Sequence, residues 1–113
     1  MIDITDYTRE LTIAAHTNSL SPEVMMPAIE QLSSPQDRRT YFNTYVELAR
    51  EAVQVDILNG VKRDTADQVR SGRSIDDVAR ELALERFRLL IYDYDSAHIH
   101  RVWNTAIPEL KTI

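Results

Sequence analysis

The sequence predicts an all-α protein, a bundle of four to six helices forming a single domain over residues 1–113. The chain has only 2 Gly and 4 Pro, too few for the frequent turns of a β-sandwich or barrel. Apolar residues recur at three- and four-residue spacing over long stretches, as they do on the buried face of a helix. Two of these stretches follow a Ser-Pro pair, in which Ser caps a helix and Pro takes its first position.

Three helices are predicted in the first half of the chain. Helical spacing of apolar residues from Ile4 predicts the first. The segment "SPEV" starts the second, which Pro27 should shorten, kink or split because proline lacks a backbone N–H. The segment "SPQD" starts a long third helix, which carries two adjacent apolar stripes and ends at "NG". These helices are predicted near residues 4–16, 22–33 and 35–59.

Two further helices are predicted in the second half. A short one near 64–71 would be capped by Asp64 and ended by Gly72. A second long helix is predicted over about 75–104, because Ser74 is a good cap and the stretch from Ser74 to Trp103 has no Gly or Pro. Its apolar residues fall on two neighbouring seams.

The two long helices have apolar faces broader than one partner helix covers. In a chain of this size we expect the excess to be shared with a second copy, as a homodimer. The alternative is that the short helices cover the second seam of each long helix within one subunit.

The composition excludes several classes of protein. There are no Cys, which excludes disulfide scaffolds, thiolate zinc sites and cysteine nucleophiles and fits a cytoplasmic location. The net charge of −5 makes an acidic protein, for which binding to nucleic acid or to anionic lipid is disfavoured. No apolar run is long enough to predict a membrane-spanning helix, and the N-terminus lacks the pattern of a secretory signal.

A DNA-binding regulator is one alternative, because residues 74–95 have features of a helix-turn-helix. Ala79 is a small residue where such motifs need one, and apolar residues stand at the packing positions. Against this, Ala83 occupies the turn position within a run of strong helix formers. Residues 74–96 also carry three Arg against six acidic residues, which opposes approach to phosphates.

A small metal-dependent enzyme is the second alternative. Asp95 and His98 are three residues apart and would share one side of a helix. A metal site needs three or four ligands, and the sequence does not indicate the others. It also lacks nucleophile and phosphate-binding motifs, so no catalytic residue, metal ligand or cofactor is predicted.

One basic segment, "VKRDTADQVRSGR", forms a local positive patch in this acidic chain. It is interpreted as a solvated connection between the long helices, with contact to a phosphate or an acidic partner as the alternative. Its cations are Lys62, Arg63, Arg70 and Arg73.

The favoured function is a non-enzymatic protein–protein interaction module, such as a regulator, adaptor or inhibitor, that presents a helical face to a protein partner. This rests on the surplus of apolar helix surface and on the aromatic residues along it, since aromatic side chains often anchor interfaces. The predicted partner-binding residues are Tyr41, Tyr45, Tyr92, Tyr94 and Trp103.

Overall fold

The computed structural model describes residues 4–17, 21–58 and 71–111. In these ranges the chain forms five α-helices and a terminal 3₁₀ turn, with no strand, so the all-α prediction is confirmed. The helices are α1 (Ile4–His16), α2 (Pro22–Gln31), α3 (Pro35–Leu58), α4 (Ile75–Tyr92) and α5 (Ala97–Ala106), and the 3₁₀ turn is Pro108–Leu110.

Serine side chains cap α3 and α4 at the predicted positions. The backbone N–H of Asp37 donates to the Ser34 hydroxyl over 3.3 Å, and that of Asp76 donates to the Ser74 hydroxyl over 3.2 Å. These bonds satisfy amide groups that have no partner within the first turn of a helix. Both helices therefore start where the sequence predicts.

The second helix starts at Pro22 as predicted and runs through Pro27 without a break to Gln31. Its N-cap, Ser21, makes no side-chain capping bond, so Pro22 is the stronger start signal. The helix is short, as expected of a segment that contains an internal proline. It ends at 31 and not at the predicted 33.

The single long helix predicted over 75–104 is wrong, because the chain turns at residues 93–96 and forms two helices. The Ser96 hydroxyl caps α5 by accepting from the N–H of Ile99 over 3.3 Å. Nε2 of His100 donates to the carbonyl oxygen of Tyr94 over 2.7 Å. The polar sequence "DYDS" thus offers local hydrogen bonds that compete with a continuous helix.

The central helix is α3, which packs against α1, α4 and α5. It runs antiparallel to α4, since Phe42 contacts Phe87 whereas Arg50, further along α3, pairs with Asp76 at the start of α4. Helices α1 and α5 thus cover apolar surface of α3 within the subunit. Less apolar surface therefore remains for burial in a dimer than the sequence analysis predicted.

An aromatic cluster fills the core where α3, α4 and α5 meet. The ring of Phe87 meets those of Phe42 and Tyr45 edge-on, at centroid distances of 5.1 and 5.3 Å. Trp103 lies 5.5 Å from the same ring and is fully buried. Edge-to-face contacts of this kind favour one defined packing of the three helices.

Candidate functional site

Two large apolar side chains lie exposed near the end of α4. Leu89 is 54% exposed and Tyr92 is 41% exposed. They are three residues apart and therefore share one side of the helix. The ring of Tyr92 lies 5.6 Å from that of His100 on α5, which holds it against the following helix. We call Leu89 and Tyr92 the α4 apolar pair.

The exposure of this pair follows from which seam of α4 faces the core. Ala83, Phe87 and Leu90, on one seam, are buried. The neighbouring seam carries Leu89 and Tyr92 to the surface. Periodicity alone does not show which of two adjacent seams is buried, since that depends on where α3 lies.

Three of the five aromatic residues predicted to bind a partner are core residues instead. Tyr41 is 1% exposed, Tyr45 is 6% exposed and Trp103 is fully buried. In this fold all three pack into the junction of α3, α4 and α5. Tyr94 is partly buried, and among the described residues its buried hydroxyl has no hydrogen-bond partner. Only Tyr92 of the five is exposed.

Leu89 was not among the predicted partner-binding residues, although it is more exposed than Tyr92. The sequence did contain a signal. Glu85, one helical turn before Leu89, interrupts its seam with a charge, and it is exposed in the structure. A charged residue in an apolar seam indicates that this part of the seam faces solvent.

The structure lacks the turn that a helix-turn-helix at 74–95 would need. Ala83 is fully buried within the continuous helix α4. The turn lies instead at 93–96, where Asp93 and Asp95 flank the start of α5. Carboxylates at that position would repel the phosphates that such a helix must approach.

The two residues considered as metal ligands do not share a helix face. Asp95 lies in the turn before α5 and His98 lies in its first turn, and both are exposed. Over residues 4–17, 21–58 and 71–111, no three His, Asp or Glu side chains converge as metal ligands would. Nε2 of His100 is engaged in the hydrogen bond to the Tyr94 carbonyl oxygen.

The basic segment falls mostly outside the residues that the structure describes. Outside the described ranges lie Lys62, Arg63 and Arg70, and also most of the helix predicted near 64–71. Arg73 is described, and its guanidinium forms an ion pair with Glu81 on α4. This hydrogen bond raises the pKa of Arg73 and lowers the pKa of Glu81.

An ion-pair network joins α3 to the start of α4. Arg50 pairs with Asp76 and also with Glu47 at 2.9 Å, and Arg80 lies 3.4 Å from Asp76. The hydrogen bond from Arg50 lowers the pKa of Asp76. These ion pairs link the surfaces of the two helices, where solvent keeps the contribution of each pair to stability small.

No helix in the described ranges has the length and apolar character needed to span a membrane. In comparisons with known proteins, no family model, curated protein or solved structure matches this chain.

Proposed function

We propose that this chain is a small non-enzymatic protein–protein interaction module, a regulator, adaptor or inhibitor, which presents the outer face of α4 and acts as a homodimer. The observation that carries the proposal is the α4 apolar pair, Leu89 and Tyr92, side by side in solvent. A cytoplasmic location is part of the proposal and is supported by the absence of Cys.

Burial of the α4 apolar pair would stabilise an interface. Fully burying a large apolar side chain contributes about 1.5–3 kcal/mol. Tyrosine is also enriched at interfaces, where its ring packs and its hydroxyl finds a polar partner. The contact of the Tyr92 ring with His100 restricts the ring before binding, which reduces the entropy lost on association.

A second copy is the partner we favour. A twofold interface uses the same patch on both subunits, so the dimer buries two copies of each exposed apolar side chain, one from each subunit. A stable interface covers about 800 Å² per partner, which is more than two side chains supply. The proposed interface therefore extends along α4 to the partly buried Leu82 and the exposed Glu85, which precede Leu89 on the same side of the helix.

The test is the solution mass, measured by sedimentation and by light scattering over a wide range of protein concentration. The proposal expects the wild type to reach twice its monomer mass of 13.0 kDa. Leu89→Lys should return the protein to a monomer, because a charge would be buried without a partner. The matched control is Val55→Lys, which places the same charge on an exposed apolar position of α3 and should leave the dimer intact.

A wild type that stays monomeric at its highest soluble concentration would contradict the homodimer. So would a dimer that Leu89→Lys leaves unchanged, since α4 would then lie outside the interface. Retention of the folded state in both variants is checked by circular dichroism.

A further inference from the structure

A cavity of about 420 Å³ opens between α1, α2, α3 and α4. This volume is within the range of small-molecule sites, which are mostly apolar with a few polar groups that fix the ligand. The α4 apolar pair does not line it, so it is separate from the proposed interface. Its apolar lining among the described residues is Ala15, Pro22, Met25, Leu48, Ala49, Ala52 and Leu90.

Two polar side chains that line the cavity lack partners in the described part of the chain. Tyr45 is 6% exposed, and its hydroxyl makes no hydrogen bond to a described residue. Arg86 is partly buried, and no described carboxylate lies within ion-pair distance of its guanidinium. By contrast, the other two arginines of α4, Arg80 and Arg88, both form ion pairs.

The two groups act on each other electrostatically. Burial raises the pKa of Tyr45, and the positive charge of Arg86 opposes that rise. The guanidinium of Arg86 thus lies at the cavity with no described carboxylate beside it to balance its charge. An anion bound in the cavity would supply that partner.

The N-terminus of α2 borders the same space through Ser21, whose hydroxyl makes no capping bond. Partial positive charge at a helix N-terminus adds to the preference for an anion. The positive charge of Arg86 and the hydroxyl groups of Tyr45 and Ser21 thus line a cavity whose other described lining residues are apolar. That combination fits a ligand with one anionic group and an apolar body.

We propose that this cavity binds a small organic monocarboxylate, such as a medium-chain fatty acid or an aromatic acid. The carboxylate accepts hydrogen bonds from the guanidinium of Arg86 and the hydroxyl of Tyr45. The apolar body packs against Met25, Leu48 and Leu90.

Isothermal titration calorimetry with three probes tests the charge and the apolar body separately. Octanoate carries both, octanol carries only the apolar body, and acetate carries only the carboxylate. The proposal expects octanoate to bind at least about tenfold more tightly than either of the others, because a charge-assisted hydrogen bond and apolar burial each contribute that much. Equal binding of octanoate and octanol, or no binding of octanoate, would overturn it.

Three variants locate the site. Arg86→Met keeps the length of the side chain without its charge and should weaken octanoate binding about tenfold or more, with octanol unchanged. Tyr45→Phe keeps the ring contact with Phe87 and removes only a neutral hydroxyl. It should therefore weaken octanoate binding by a smaller factor than Arg86→Met does. Ala52→Phe enlarges an exposed residue of the lining and should block octanoate and octanol alike.

The matched control is Arg101→Met, which removes an exposed arginine of α5 outside the cavity. It should bind octanoate as the wild type does. An equal loss in Arg86→Met and Arg101→Met would mean that octanoate responds only to net charge, and the site would be rejected. The comparison of probes on the wild type remains decisive if a variant fails to fold.

Discussion

The indole Nε1–H of Trp103 donates a hydrogen bond to the backbone carbonyl oxygen of Ile29 over 2.9 Å. Both residues are buried, and they lie 74 positions apart in the chain. Ile29 is in the last turn of α2, where carbonyl groups have no partner within the helix. A side chain of α5 thus satisfies the backbone of α2, and the turn at residues 93–96 allows α5 to reach it.

Replacement of this indole should destabilise the fold strongly. Trp103→Phe removes the donor, leaves the Ile29 carbonyl unpaired and opens space in the core. We expect the free energy of unfolding to fall by about 2–4 kcal/mol. Urea denaturation measures the change, with Arg101→Met, at an exposed position of the same helix, as the control. A loss no larger than that of the control would show that the bond contributes nothing to stability.

The cap of α5 should contribute measurably to stability. Ser96→Ala removes the oxygen that accepts from the N–H of Ile99, at an expected cost of about 1 kcal/mol. The matched control is Ser21→Ala, because Ser21 is also an N-cap but makes no side-chain capping bond. Equal losses in the two variants, by urea or thermal denaturation, would contradict the role assigned to Ser96.

The protein should lose stability in acid through Asp76. The hydrogen bond from Arg50 lowers the pKa of Asp76 in the folded state below its ordinary value. Its contribution is therefore present above the unfolded-state pKa and is lost as the pH falls through the lower folded-state pKa. Asp76→Asn should be less stable than the wild type near neutral pH, and the difference should shrink below about pH 4.

Urea denaturation from neutral pH to below about pH 4, in low and in high salt, measures the difference in stability between the wild type and Asp76→Asn. Salt should reduce it, since the pair lies at the surface. Asp77→Asn is the control, because it lies in the same first turn of α4 and makes no hydrogen bond to Arg50. A difference that stays constant with pH would exclude Asp76 as the source of acid sensitivity.

In alkali, stability should fall through Tyr41. Burial raises the pKa of Tyr41 well above its ordinary value, and the negative charge of Glu10 raises it further. A raised pKa means that the contribution is complete below the unfolded-state pKa and is lost as the pH rises towards the folded-state pKa. Tyr41→Phe should therefore show a smaller loss of stability above about pH 10 than the wild type.

Chemical denaturation at about pH 8 and about pH 11 provides this comparison, and tyrosinate absorbance follows the ionisation itself. Equal alkaline losses in the wild type and in Tyr41→Phe would refute the prediction.

Local signals in the sequence determined the class of fold and most helix starts. Ser34, Ser74 and the Ser-Pro pairs act within one helical turn, so their effect is visible without the rest of the chain. The bounds of α1 were predicted correctly for the same reason, and α3 ends at residue 58 against a predicted 59. Within the described residues the turn at 93–96 was missed, although Ser96 was an available cap.

The tertiary structure alone decided which apolar and polar side chains reach the surface. The sequence placed Tyr41, Tyr45 and Trp103 on apolar seams, but the packing of α4 and α5 on α3 sends them inside and leaves Leu89 and Tyr92 outside. Packing likewise brings Arg86 of α4 to the cavity beside Tyr45 of α3, 41 positions earlier in the chain. Helix formation depends on neighbours in sequence, whereas burial depends on which other helices pack against each face.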